Sequence, residues 1–242
     1  MTLPGGGTVP SRKVVEIGPA RQRLAAGQAV RPDDIRSFPD LPVLPETLLG
    51  MELQIRKRAA DLNEITRLIL SDLGAALQIM RLASREYGHA ESKARPVEEI
   101  VADIGLEACL EAMARRPARR SAEQPAVFET WAHSRKIAEL CFEIAQSAPG
   151  SAHPADAYLV GLFHALGSLP GVLGWERGLP IAANPTLVGL RIAEAWAFPA
   201  CVVEFFTERR KRQPSGHWVG MVDHAHKLAA LSSTRLHTVN GF

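Results

Sequence analysis

The chain has 242 residues, with 28 Lys and Arg against 26 Asp and Glu, a formal charge of +2. So near-neutral a balance gives no global pull toward nucleic acid or an anionic membrane. Apolar residues make up 46% of the chain and aromatics 6%, which excludes a disordered protein and, with Ala and Leu dominant, favours helices over strands.

Residues 1–37 are rich in Gly, Pro, Arg and Gln without a sustained period, and read as a flexible N-terminal tail with a short helix near 20–28. Residues 38–46 alternate proline with apolar side chains. Proline fixes φ and biases its predecessor away from α, so this segment is expected to run extended, pinned across a helical core by Leu41, Val43 and Leu44. Five helical segments follow. Pro45 opens the first, to about Ile55. Asp61 with Glu64 caps the second, in which Leu62, Ile65 and Ile69 keep helical spacing. Ser71-Asp72 caps the third, with Leu73, Leu77 and Met80 on one face and a turn at Tyr87-Gly88. Pro96 starts the fourth, carrying Val97, Ile100, Val101 and Ile104, and Gly105 stops it. Leu106, Leu110 and Met113 carry the fifth.

The polar, Pro-flanked stretch 116–125 is the expected boundary between two helical subdomains, 38–116 and 117–242. Beyond it a long helix over 126–148 presents Trp131, Ile137, Leu140, Cys141 and Ile144. A nearly all-apolar helix over 155–166 is expected at the centre. Residues 167–185 read as a Gly/Pro-rich loop, and helices over 186–197, 200–212 and 217–231 complete the chain. The fold class is therefore all-α, a two-part helical bundle. Cys109, Cys141 and Cys201 stand far apart with no C-x-x-C pair, so they read as small buried residues in a reducing compartment. Residues 1–7 lack the regions of a signal peptide, and Glu194, Pro199 and Glu204 break the most apolar late stretch. The expectation is a cytoplasmic protein without a membrane span.

Chemistry concentrates on two histidines. His133 stands early on the long helix, in Trp131-Ala132-His133-Ser134, and His164 late in the buried one, in Leu162-Phe163-His164-Ala165-Leu166-Gly167. Antiparallel packing would face the two imidazoles across a helix pair. Two histidines are half of a metal site, and a divalent ion needs carboxylates or further histidines as well. Asp223, His224 and His226 on the last helix, or Asp156 or Glu139, are the available supplements. The plainer and favoured reading is two half-buried core histidines.

Several stretches, weak singly, form an ordered set: Leu41-Pro42-x-Leu44-Pro45, Leu62-x-x-Ile65, Ile69-x-x-Asp72, Arg81-Leu82-Ala83-Ser84, Tyr87-Gly88, Ile100-x-x-x-Ile104-Gly105, Trp131-x-His133-Ser134 and Gly161-Leu162-x-His164-x-x-Gly167. In order and spacing they resemble the HDOD domain, a divergent relative of the HD-type metal phosphohydrolases, over about residues 38–230. The departures matter as much. The resemblance implies a metal-bridging Asp after the second His, where this chain has Ala165, and a Lys where it has Ser168. A later metal His is replaced by Pro185, a His pair by Arg209-Arg210, and the last ligand, an Asp, by His226. Such enzymes need the ion to acidify a water and polarise a phosphoryl oxygen, and Arg stays protonated and repels a cation.

The resemblance therefore implies a non-catalytic bacterial signalling or regulatory module with a degenerate metal site. No catalytic residue and no cofactor are expected, and His133, His164 and His226 are vestigial candidates for a residual divalent metal. Its partner would be a protein of a signalling pathway; DNA is disfavoured for want of a recognition helix. A second reading is a metal-dependent phosphohydrolase of nucleotides or cyclic dinucleotides. A third is a sensor of a nucleotide or other anion using Arg209 and Arg210, whose forked guanidinium groups suit phosphate; against it, cations commonly cluster at helix C-termini and stay solvated. Arg115-Arg116 with Arg119-Arg120 reads as a solvated linker run, and Trp131, Trp196 and Trp218 as core packing.

Overall fold

A computed structural model of the chain describes residues 38, 41–57, 59–92, 96–115, 125–148, 150, 152–174, 184–211 and 216–239, and the side chains of these outside 88–92 and 232–239. The helices run in the order α1 (Pro45–Arg56), α2 (Leu62–Leu70), α3 (Leu73–Ser92), α4 (Val97–Ile104), α5 (Leu106–Ala114), α6 (Pro125–Ser147) and α7 (Pro154–Phe163). A 3₁₀ turn (Leu166–Ser168) leads into α8 (Leu169–Val172), and α9 (Pro185–Ala195), α10 (Ala200–Arg209) and α11 (His217–Val239) follow. No strand occurs among the described residues, so the class is all-α. The expected tail, residues 1–37, and most of the expected boundary, residues 116–124, lie outside them.

Local chemistry explains most helix starts. The Asp61 carboxylate accepts the backbone N–H groups of Asn63 at 3.0 Å and Glu64 at 3.4 Å, which α2 cannot satisfy internally. Asn184 does the same for Thr186 at 2.9 Å before α9. Prolines fill the first turn of α1, α7 and α9, where a missing N–H costs nothing. Between α4 and α5, Gly105 takes φ +89°, a left-handed value that suits glycine.

Asp72 is wholly buried. Its carboxylate accepts from Gly74 (2.8 Å) and Ala75 (3.3 Å) at the start of α3, and from the Leu44 N–H at 2.8 Å. One side chain thus fastens the extended segment 41–44 to the helix beneath it. Burial pushes its carboxyl pKa up, against the opposing pull of those N–H groups. Leu41 is fully buried and Val43 and Leu44 pack partly against the core, as the alternating prolines required. Arg81, also buried, donates to the Phe38 carbonyl and lies 5.6 Å over the Trp196 ring.

The first five helices pack on one another, α3 with α4 and α5, α1 with α2 and α5, and α2 with α4. In the second set α6 packs along α7 and α11, and α10 along α7, α9 and α11. The buried side chains of both sets form one continuous cluster. The α3–α6 contact joins the sets, and the Tyr158 hydroxyl donates to the Leu70 carbonyl at 3.0 Å. The three cysteines are free and buried. No helix among the described residues is long and apolar enough to cross a membrane.

Three elements differ from expectation. The turn at Tyr87-Gly88 is absent, and α3 continues to Ser92. A helical glycine costs only about 1 kcal/mol relative to Ala, and the turns before it, with Ala83 fully buried, already fix the helix. Residues 167–185 are not loop throughout, because buried Leu166, Leu169 and Leu173 fold the stretch after α7 into the 3₁₀ turn and α8. The last helix runs on to Val239, whereas α10 stops at Arg209.

Candidate functional site: a three-histidine cluster

The site begins with a close helix crossing. A Cβ placed on Gly161 of α7 would lie 2.6 Å from the Ala138 Cα and 2.9 Å from both the Ala138 nitrogen and the Ile137 carbonyl oxygen of α6. Only glycine allows two helix backbones so near. Antiparallel to α7, α6 brings His133 beside His164, which caps the end of α7, and the ring centroids stand 5.3 Å apart. α11 lies along α6 and supplies His226, with centroids 5.2 Å from His133 and 4.9 Å from His164.

One ring nitrogen from each histidine lies within 4.8 Å of the others. His133 Nε2 and His226 Nε2 are 3.2 Å apart. The far sides of two rings are anchored: His164 Nδ1 is 2.7 Å from the Gly161 carbonyl oxygen and His226 Nδ1 is 3.0 Å from that of Val222. A carbonyl oxygen only accepts, so both Nδ1 atoms carry protons. On these two rings it is therefore Nε2 that can offer a lone pair. Burial pushes the His164 pKa down to about 3; the His226, His133 and Arg209 charges add to this and the Gly161 carbonyl opposes it. His133 is lowered too, by burial first and then by His226.

The cluster opens on a cavity of about 620 Å³. Glu129 and Thr130 of α6 stand on its wall, with Pro185 and Thr186 from the start of α9 and Arg209 from the end of α10. Pro185 reaches the wall because Gly167 has no side chain: a Cβ there would meet the Pro185 carbonyl oxygen at 1.8 Å. Arg209 Nη1 is 3.4 Å from Asp223 Oδ1, and its guanidinium sits 5.7 Å over the Phe205 ring. Arg210 is exposed and not part of the wall.

The structure thus brings His133, His164 and His226 together and sets Arg209, without Arg210, beside them. The other proposed supplements go elsewhere. Asp223 pairs with Arg209, and Glu139 pairs with Arg135 at 3.7 Å. His224 is exposed outside the cluster. Asp156 lines a different cavity, its Oδ1 3.9 Å from Cys201 Sγ. Trp131 and Trp196 are core residues, whereas Trp218 is half-buried and donates to Glu204 at 3.1 Å. Sequence reasoning missed Glu129 and Thr130. Glu129 stands four residues before His133, one helical turn away on the same face, and that spacing was the available signal.

An all-helical bundle with this histidine-lined pocket defines the class. The HDOD domain model matches residues 41–174, more than half of the chain, and the chain belongs to the HDOD domain family. A relative from Treponema pallidum (strain Nichols), described only as an uncharacterized protein, is 23% identical over 211 residues, which take in 78% of this chain and 40% of that one. The chain thus spans less than half the length of that relative. Among solved structures it is similar to the MmoQ response regulator from Methylococcus capsulatus str. Bath, with a TM-score of 0.53 and 17% identity, over 77% of this chain and 81% of that one. At that identity the likeness concerns the fold.

Proposed function

We propose that this chain is a non-catalytic signalling module that acts by binding, and that the pocket carrying Arg209 receives its ligand. The observation that supports this most directly is Ala165 next to His164, where the resemblance implies a metal-bridging Asp; the cluster itself holds three imidazoles and, among the described residues, no carboxylate. A bridged pair of metal ions clamps both the attacking and the leaving oxygen of a phosphoryl group, and Ala165 cannot form that bridge. Here Arg209 contributes a fixed positive charge to the wall, and a guanidinium is suited to holding a phosphate or carboxylate in place. Family membership and the fold likeness to a response regulator favour a role in signal transduction with a protein partner downstream.

The test is a thermal-shift and calorimetric screen of the whole chain with guanine nucleotides and inorganic phosphate, run with Arg209→Ala and Arg210→Ala. Binding lost in Arg209→Ala and kept in Arg210→Ala supports the reading; binding unaffected by either substitution counts against the pocket. The rival reading is a metal-dependent phosphohydrolase, favoured by the convergence of the three histidines. It requires turnover of bis(p-nitrophenyl) phosphate with added zinc or manganese that disappears in His133→Ala. Such turnover would refute the non-catalytic reading.

A further inference from the structure

We infer that His133, His164 and His226 together hold one divalent transition-metal ion of the zinc class, selected by an all-nitrogen donor set. The sequence offers His133, His164 and His226 as vestigial candidates, with no metal expected. The structure brings the three imidazoles together, and with them the donor count of a three-ligand site that keeps a coordination position open. Whether the pocket also turns over a substrate is a separate matter.

Three observations converge. The His133 and His226 Nε2 atoms are 3.2 Å apart, against roughly 3.3 Å for two nitrogens on one tetrahedral zinc at ordinary bond lengths. The third nitrogen is within 4.8 Å of both, so it closes on an ion by a shift of about 1 Å, a side-chain adjustment. The Nδ1–H groups of His164 and His226 bond to backbone carbonyls, the support that fixes the tautomer and aim of a metal-binding imidazole.

Selectivity follows from the same donors. Imidazole suits zinc, cobalt, nickel and copper, whereas magnesium, calcium and manganese prefer oxygen ligands. The carboxylate that a hydrolase of this type would place next to the second histidine is absent at Ala165. Arg209 does not forbid the ion, because Asp223 Oδ1 lies 3.4 Å from its Nη1 and offsets its charge.

The experiment is elemental analysis of the whole chain, stripped with a chelator, incubated with zinc or manganese and desalted. Cobalt substitution is run alongside, since the visible spectrum of cobalt reports its coordination geometry. We expect about one zinc per chain, little manganese, and an intense four-coordinate cobalt spectrum. His133→Ala, at an exposed position that leaves folding intact, and His226→Ala should each weaken zinc binding by ~100-fold or more. His224→Ala, on the same helix but outside the cluster, should bind as the parent does. Zinc below ~0.1 per chain overturns the inference. So does zinc that survives in His133→Ala, or that is lost equally in His224→Ala. None of these readouts uses nucleotide binding or turnover, so the metal site and the proposed function fail separately.

Discussion

Substituting Gly161 by Ala tests whether the α6–α7 crossing sets the site. The new methyl carbon would lie 2.6 Å from the Ala138 Cα, and 2.9 Å from two further α6 backbone atoms. Ordinary contact needs about 1 Å more, and no flexible side chain stands in between to yield, so the helices themselves must part. Overpacking of this kind costs typically ~1–3 kcal/mol, while Gly→Ala in a helix returns up to ~1 kcal/mol. The net expectation is a loss of about 1–2 kcal/mol, which for a chain of this length lowers the melting midpoint by roughly 2–8 °C. Gly220 in α11 is the control, because a Cβ there meets nothing within 4 Å. Gly220→Ala should therefore raise the midpoint by roughly 1–4 °C through the propensity gain alone. Thermal unfolding followed by circular dichroism at 222 nm separates the two signs. A Gly161→Ala protein that melts at or above the parent temperature would refute the account of the crossing. Because His164 anchors on the Gly161 carbonyl, the same variant should also bind zinc more weakly.

Asp72→Ala leaves the N–H groups of Leu44, Gly74 and Ala75 without their acceptor, and should cost about 2–4 kcal/mol in urea unfolding; a loss under ~0.5 kcal/mol would mean that this carboxylate does not fasten the extended segment. Burial pushes the thiols of Cys109 to about 11 and of Cys141 and Cys201 to about 12, so at pH 8 each is under about 0.1% thiolate. Native protein should react slowly with a disulfide reagent, faster as pH rises toward those values, and all three thiols should react at once in denaturant. Asp223→Asn breaks only an exposed ion pair, so stability should change by less than ~1 kcal/mol. The same change releases Arg209, and inorganic phosphate measured by calorimetry should then bind more tightly; unchanged binding would remove Arg209 from the ligand-receiving role.

Most helices were legible because their first turns are marked by residues with one physical purpose, such as Asp61 and the prolines at 45, 96 and 154. The errors came where a local signal yields to packing. Gly88 looked like a stop, but one glycine cannot end a helix whose earlier turns are already buried. Residues 167–185 looked like a loop, because glycine and proline obscured the spacing of Leu166, Leu169 and Leu173. At the site, His133 and His164 were found from pattern, whereas their distance from His226 depends on the docking of α11, which no local signal encodes. Arg209 and Arg210 looked equivalent in sequence. Adjacent helical residues point about 100° apart, so only one of the two could face the pocket.

The 93 residues that separate His226 from His133 give the cluster a birth order. At ordinary synthesis rates of about 5–20 residues per second, His226 leaves the ribosome roughly 5–20 s after His133. During that interval the early helices can fold around two imidazoles that hold a metal weakly or not at all. On the inferred zinc site, a nascent chain lacks the third ligand until its last helix arrives, and a bound ion would certify that α11 has docked.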